Sequence, residues 1–588
     1  MNSNKTYTKE ELKQQKIERK KAIKEERKRL SLLRRRRRLR VNDITVVEGG
    51  TLRKALIGSV VGNLMEWYDV GVYGYVAVII GRLFLPAADS HVQNLFSLGV
   101  FAVTFIARPL GGIILGSLGD KIGRKEVLAF TLLMMAAATF LIGVLPTYAA
   151  IGVAAPILLI CLKLVQGFST GGEYAGATTF ITEYAPDKHR GFYASLLDWG
   201  SYIGFAIGAA FVSFLQLTVS SEFMESFGWR IPFIVALPLG VIALVFRNRI
   251  EDTPAFVESQ NQVDSGDNKP AQLSDVEEAV IYGDDTPNGV GYVIKTYWRE
   301  LLVAFVLVAA ANTVGYALTS YMPTYLSTTL HYDEIHGNFL TLPVLILLAF
   351  GIPLCGWISD KIGRKTVLAM GSIAAIVLVV PAFKLMEQGA IWETLLGLFL
   401  LAVPVALYMG NLASSLPAMF PTSSRYSAMG IAYNAAVAIF GGTAGFIMEA
   451  LVTSTGNALS PAFWVMGTSV AGLVAVIFLK ESARQPLPGS MPAVSTEEEA
   501  VELVENQEEN PDINVSEIIE QVPLHIIDQV PSVEEAAAEV QVALDAEAEA
   551  KANLQKAQQV TMAAQKALIE SQMRAHEERE AKQQGDAQ

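Results

Sequence analysis

Apolar runs long enough to cross a bilayer recur along the chain at roughly 55–84, 93–119, 126–145, 151–183, 192–218, 229–248, 300–328, 337–358, 366–387, 391–419, 427–452 and 459–479. A span needs about 20 mostly apolar residues. The apolar positions do not alternate as a barrel strand requires, so the pattern predicts an all-α membrane protein with twelve transmembrane helices. Polar stretches punctuate the runs and divide the chain into a basic segment 1–50, a six-helix group 51–248, a connection 249–298, a second six-helix group 299–481 and an acidic tail 482–588, helical from about 532. Some forty charge-rich residues open the chain in place of a short apolar stretch with a cleavage site, so the first run itself must start insertion.

The two groups of six repeat one another. "GSLGDKIGRK" at 116–125 returns as "GWISDKIGRK" at 356–365, with seven of ten positions identical, each copy after the second run of its group. A weaker echo follows each fourth run, where Pro186 and Arg190 stand four apart, as do Pro421 and Arg425. The motif suits a tight helix-to-helix turn. Gly123 and Gly363 supply a permissive backbone, while Asp120 or Asp360 stands near a helix end with cations behind it. "LRRRRRLR", both "DKIGRK" loops, "PDKHR" and "RNR" all fall on one side of an even number of spans, which places both termini in the cytoplasm.

Composition agrees with this setting: 51% of the 588 residues are hydrophobic and 18% charged. Cys161 and Cys355 sit in runs of different groups and read as core packing, with no disulfide framework or metal site implied. The six histidines are scattered, and no nucleophile–histidine pair, metal cluster or phosphate loop stands out, so neither an enzyme nor a cofactor is expected.

The informative residues are polar ones inside the runs. Asn63, Glu66, Asp69 and Tyr73 step by three, three and four and share one helical face. Gln166, Thr170 and Glu173 do so in the fourth run, Asp198, Ser201 and Tyr202 in the fifth, Asn312, Tyr316 and Thr319 in the seventh, and Tyr408, Asn411 and Ser415 in the tenth. Hydroxyls such as Thr170, Ser201, Thr319 and Ser415 fit interhelical hydrogen bonding. Carboxylates do not, because a charge at the centre of a span costs about 2.5–3.5 kcal/mol on insertion scales. Glu66, Asp69, Glu173 and Asp198 are therefore functional candidates, with Lys163 and Arg108 as available structural partners. A carboxyl sealed from water favours its neutral form and ionises when wetted, which is how a proton can be carried. Gly200, Gly204 and Gly208 lie four apart, and Gly167, Gly171, Gly172 and Gly176 form two such pairs; this spacing lets helices approach closely and, between halves, slide.

These motifs together resemble a known group. The paired loops are similar to the signature of the major facilitator superfamily, and "GNLMEWYDVGVYGY" at 62–75 looks like the first-span signature of its metabolite:proton symporter branch. "VQGFSTGGEYAGA", "RGFYASLLDWGS", "FGWRIPFIVALPLG", "EDTPAF", "YMPTYLS" and "SSLPAMFPTSSRYSA" resemble the family of bacterial osmoregulatory proline/glycine betaine transporters, over residues 50 to 485 or so. The resemblance implies a cytoplasmic (inner) membrane symporter that takes a small zwitterionic solute together with protons. It implies that the five polar stripes line a central cavity and that Asp120, Arg124, Asp360 and Arg364 control its inward and outward states. A quaternary ammonium donates no hydrogen bond and is held by aromatic faces. Trp67, Tyr68, Trp199, Tyr321, Tyr325, Tyr408 and Tyr433 are available, with Tyr73 and Tyr316 the chosen candidates and Tyr325 or Trp229 also fitting interfacial anchors.

Sister families with the same first-span motif move dicarboxylates, citrate or shikimate, and a non-transporting membrane osmosensor is a further alternative. The surplus of cavity acids favours a zwitterion or cation, and the intact paired loops favour transport. The two ends differ in sign: residues 1–40 hold 17 Lys and Arg against 5 Glu, residues 485–588 hold 6 against 22 Asp and Glu. The basic end suits anionic membrane lipid and not nucleic acid. The acidic end reads as a Pro-containing linker to 531 followed by a helix through which copies of the chain can associate. Salt-screened attraction between the ends would respond to ionic strength.

Overall fold

The computed structural model describes Lys21, residues 38–122, 124–248, 290–332 and 334–521, and scattered helical positions between 556 and 571. Most of the basic head, most of the 249–298 connection and the helix expected from about 532 lie outside the described residues, as do the side chains of 116–129, among them Asp120 and Arg124. The chain divides into two units, Met1–Pro523 and Leu524–Gln588. The described residues of the second are the helical positions between 556 and 571.

The first unit is a helical bundle. Its amino-terminal half comprises α1 (Gly49–Phe84), α2 (Ser90–Ile122), α3 (Arg124–Val144), α4 (Ala154–Thr170), α5 (Glu173–Tyr184), α6 (Arg190–Thr218) and α7 (Ile231–Asn248). Its carboxy-terminal half comprises α8 (Trp298–Tyr316), α9 (Glu334–Ile362), α10 (Arg364–Met386), α11 (Ile391–Ser415), α12 (Thr422–Ala436), α13 (Ala444–Thr455) and α14 (Ser460–Phe478). Among the described residues nine helical segments are long and apolar enough to cross a membrane, and Phe130–Val144 and Gly228–Ile242 are shorter apolar helices. The helix carrying Glu66 and Asp69 is not among the nine, because its internal acids and asparagine dilute its apolar character.

Two spans of the sequence pattern are interrupted helices. Gly171 and Gly172 break the fourth run between α4 and α5, leaving Glu173 in the first turn of α5, where the helix dipole favours an acid. In the other half, α8 passes through π-helical turns at Ala317–Tyr321 and Tyr325–Thr329, and α12 reaches α13 through a π-helical turn at Val437–Gly441. Such turns insert an extra residue into the helical ladder and re-aim side chains.

Close packing follows the glycines, within the amino-terminal half at the four-residue spacing and between the halves where Gly191 meets Gly356 and Gly442 meets Phe105. A methyl on Gly208 of α6 would stand 2.6 Å from the Tyr68 carbonyl of α1, one on Gly200 2.7 Å from Val60, and one on Gly204 would overlap the Leu64 carbonyl. Gly167 and Gly171 are pressed in the same way against the backbone at Thr104 and Arg108 of α2. At Gly167, Gly171, Gly200, Gly204 and Gly208 the spacing therefore builds close packing inside the amino-terminal half, not a surface between halves. Across the halves, α6 packs on α9 and α11, and α2 on α12.

The stretch expected to be a plain linker is structured. Thr45–Val46 (β1) pairs in parallel with Ala493–Val494 (β2), and Ile44, Val494 and Ala500 form a small apolar cluster beneath them. Helix α15 (Glu497–Glu505) follows, with the Thr496 hydroxyl accepting from the Glu499 amide as its cap, and α16 (Val515–Gln521) comes next. Leu39 and Gln507 exchange hydrogen bonds of 2.8 and 3.2 Å, and an exposed ion pair joins Arg38 to Glu508.

Candidate functional site

Every residue of the five stripes is buried. The first stripe shows why charge is tolerated there. Arg108 of α2 places Nη2 2.6 Å from Glu66 Oε1, and its guanidinium lies over the Phe105 ring, 4.4 Å from the centroid. Lys163 of α4 brings Nζ to 3.4 Å from Asp69 Oδ2 and 4.1 Å from the centroid of the Tyr73 ring. Both pairs join helices of the same half, and all four charged side chains are almost wholly enclosed. Glu66 Oε2, Asp69 Oδ1 and Arg108 Nε meet no hydrogen-bond partner among the described residues. Buried pairs left incomplete in this way are poor structural cement, and they are suited to exchanging partners.

Tyr316 stands where the halves meet. Its ring is 5.9 Å from Trp67 and 5.3 Å from Phe105, centroid to centroid, and its hydroxyl has no hydrogen-bond partner among the described residues. Beyond it, Asp198 of α6 accepts from the Tyr174 hydroxyl at 3.2 and 3.3 Å, and the Tyr174 ring stacks on Tyr433 of α12 at 4.1 Å. Glu173 lies within electrostatic reach of Glu66, as does Asp69.

The remaining expectations divide. Tyr408 turns away from the centre to Ser372 at 2.8 Å, so it is helix packing in the carboxy-terminal half. Tyr325 and Trp229 are fully buried and are not interfacial anchors; Tyr325 donates to the Ala458 carbonyl and Trp229 packs on Phe84 and Phe233. Of the four hydroxyls read as interhelical, Thr170 and Thr319 return to their own helix, Ser415 has no partner among the described residues, and only Ser201 reaches another helix, at Asn63. Cys355 is buried, but Cys161 is exposed and is not core. The sequence reading missed Phe105 and Tyr174; the Phe105–Arg108 spacing of three, one face of α2, was the available signal for the first.

The end of the bundle that carries the repeated loops is closed. Asp360 of α9 accepts from the backbone of Gly191 at 2.7 Å and Phe192 at 2.9 Å, capping α6 from across the halves. Arg364 lies 3.8 Å from Asp360, and its amide and that of Lys365 donate to Glu481. Gly363 has a φ of +99°, the glycine-favouring backbone the motif anticipated. Arg425 of α12 holds Glu183 of α5 at 2.6 Å, again across the halves.

The two echoed arginines both reach one strand of chain: Arg190 donates to the Gln485 carbonyl at 2.7 Å and Arg425 to that of Pro488 at 2.8 Å. Further along this strap, the Ala493 amide meets Asp187 at 3.0 Å and Glu499 meets Lys188 at 2.7 Å. Burial pulls the Glu499 carboxyl upward, yet hydrogen bonds from Lys188 and the Ser495 amide and the charges of Lys188 and His189 outweigh it, holding the group below its usual range. At the opposite end, Glu449 of α13 is buried between Tyr321 at 3.3 Å and His91 of α2 at 3.5 Å.

A family model described as "Sugar (and other) transporter" matches residues 54–490. The chain belongs to that transporter family. Among its relatives, the ectoine/proline transporter ProP of Corynebacterium glutamicum is 46% identical over 489 residues, 82% of this chain and 94% of that protein. The proline/betaine transporter of Salmonella typhimurium is 42% identical over 482 residues, 82% and 94% of the two chains. The glycine betaine/proline/ectoine/pipecolic acid transporter OusA of Dickeya dadantii is 42% identical over 484 residues, 82% and 94%. The major facilitator superfamily proton:xylose symporter XylE, bound to 6-bromo-6-deoxy-D-glucose, superposes with a TM-score of 0.60 at 15% identity, covering 74% of this chain and 98% of its own. That likeness speaks for the fold alone: the bundle is a major facilitator fold, and the family member is a multi-pass membrane protein.

Proposed function

We propose that this protein is a proton-coupled symporter that imports proline, glycine betaine or a related zwitterionic osmolyte and is activated by high osmolality. The observation that carries the reading is the buried centre of the amino-terminal half, where Glu66 faces Arg108 and Asp69 faces Lys163 with polar atoms of both pairs left over. The solute class is supported by the relatives, three of which are named for proline and two for betaine. A net-neutral solute moved with one proton carries one charge, worth about 2.3 kcal/mol per 100 mV, enough for roughly fifty-fold accumulation.

In this reading Glu66 and Asp69 gain and lose the proton, Glu173 and Asp198 set the charge of the cavity, and Tyr73 and Tyr316 line the path. Asp120, Arg124, Asp360 and Arg364 gate it. The nine apolar segments together with α1, α3 and α7 make twelve spans, arranged as the six-helix bundles 51–248 and 299–481. The positive-inside rule puts the basic loops and both termini on the cytoplasmic face of a bacterial inner membrane, where the basic head contacts anionic lipid and the tail is free to self-associate.

The test is uptake of labelled glycine betaine and proline by liposomes containing the full chain. Accumulation should require an inward proton gradient, vanish with a protonophore and rise with external osmolality. Undiminished accumulation after every ion gradient has been collapsed would overturn the coupling.

A further inference from the structure

The centre offers more than a proton site, because two of its incompletely matched charged groups have opposite sign: Arg108, whose Nε has no partner among the described residues, and Asp198, which meets only a tyrosine hydroxyl. We propose that it binds its solute in one orientation, with the carboxylate against Arg108 and the Tyr316 hydroxyl and the cationic nitrogen against Asp198, within the rings of Tyr174, Tyr202 and Tyr433. This rests on the zwitterionic solute proposed above and adds which end goes where.

Arg108 is 1% exposed and Tyr316 3%. Glu66 engages the guanidinium at one nitrogen, while its Nε and the Tyr316 hydroxyl meet no hydrogen-bond partner among the described residues. A guanidinium is a rigid fork of donors that matches a carboxylate two-to-two. Its face is already occupied by Phe105, so the open edge is what a solute can reach. When Glu66 takes up a proton it loses the charge that holds Arg108, and the solute's carboxylate replaces it as counter-ion.

Asp198 presents the complementary case. It is 4% exposed, and among the described residues it has no cation beside it, only the Tyr174 hydroxyl. A buried carboxylate with so weak a partner is costly unless something positive arrives. Tyr174 meets it through its hydroxyl and stacks on Tyr433, and Tyr202 stands one helical turn from Asp198, so three aromatic rings of the kind that hold quaternary ammonium groups gather near it.

The two subsites adjoin. Tyr433 lies within electrostatic reach of both Arg108 and Asp198. The Tyr202 hydroxyl stands 3.2 Å from where a Cβ would sit on Gly315, the residue before Tyr316. Reversal would set a carboxylate against Asp198 and an ammonium against Arg108. Lys163 and Asp69 answer each other beside Tyr73 and take no part.

The experiment is calorimetric binding to the purified full chain in nanodiscs, with three probes: glycine betaine, choline, which lacks the carboxylate, and tert-butylacetate, in which carbon replaces the cationic nitrogen. Asp198→Asn should weaken betaine and choline by about tenfold or more and leave tert-butylacetate within about twofold. Arg108→Lys should weaken betaine and tert-butylacetate by about tenfold or more and spare choline. Each variant therefore keeps one probe that reports its fold. Tyr433→Leu should weaken betaine more than proline, whose N–H groups still reach Asp198. The opposite pattern, or equal losses for both partial probes, overturns the orientation. Failure of the unaltered protein to bind betaine or proline overturns the solute reading itself, and the orientation with it.

Discussion

The amino-terminal half brings to the centre four carboxylates and two cations, whereas the carboxy-terminal half brings tyrosines and asparagines on helices that run through π-helical turns. The ion pairs of the first half are closed within it, Glu66 to Arg108 and Asp69 to Lys163, on helices locked backbone to backbone by glycine. The second half meets them with uncharged rings. In the proposed symport a proton would therefore be exchanged inside one half without first breaking a charged contact between halves. In the same proposal, adjustment to the solute would fall to the half whose helices carry extra residues in their ladders.

The sharpest way to break this contrast is to strand a charge. Arg108→Gln leaves Glu66 buried without a counter-ion; stability should fall by about 3–5 kcal/mol and uptake should be lost. Adding Glu66→Gln should recover most of the stability and none of the coupling, read by thermal unfolding and gradient-driven uptake. Equal stability of the single and double variants would show that the pair is not a unit.

Next is the contact between the halves. A methyl on Gly442, after the third π-helical turn, would run into the Phe105 ring, while one on Gly430 would meet nothing within 4 Å. Gly442→Ala should cost about 1–3 kcal/mol and Gly430→Ala almost nothing, compared by unfolding in the same detergent.

Asp360→Asn keeps one acceptor for the α6 amides and loses the charge opposite the helix dipole, worth about 1 kcal/mol. A cysteine introduced as S195C, beside Gly356 at the closed end, should then react faster with a water-soluble maleimide than in the parent.

The smallest effect is at Glu499. Because its carboxyl is held below the ordinary glutamate value, its bond to Lys188 stabilises the strap above that value and is lost as pH falls through the depressed one. Lys188 is half exposed, so screening limits the gain to within about 1 kcal/mol. Acid-induced release of the strap, followed by proteolysis near residue 500, should shift toward neutral pH in Lys188→Met.

Much of this was legible in the sequence because it is periodic. Helical spacing alone gathered Glu66, Asp69 and Tyr73 on one buried face and picked out Tyr316, and the repeated loops located Asp360 and Arg364. Lys163 and Arg108 were visible as partners, but their assignments were not, since spacing on one helix cannot tell which acid a neighbouring helix faces. Tyr408 shows the same limit, for it shares the periodicity of the centre and yet turns to Ser372. The π-helical turns left no local mark beyond Pro323 and the glycines at 441 and 442. The strap was read as a linker because its bonds join residues some 300 positions apart, as between Arg190 and Gln485.

That strap gives residues 485–499 a hold on the bundle. Gln485 and Pro488 are clasped by an arginine from each bundle, so in the proposed alternating access the bundles cannot part at this end without letting go of at least one of them. This short stretch is in effect a stitch through both lips of a seam. In the proposed transporter, loosening either of these two bonds should change how readily the mouth unfastens.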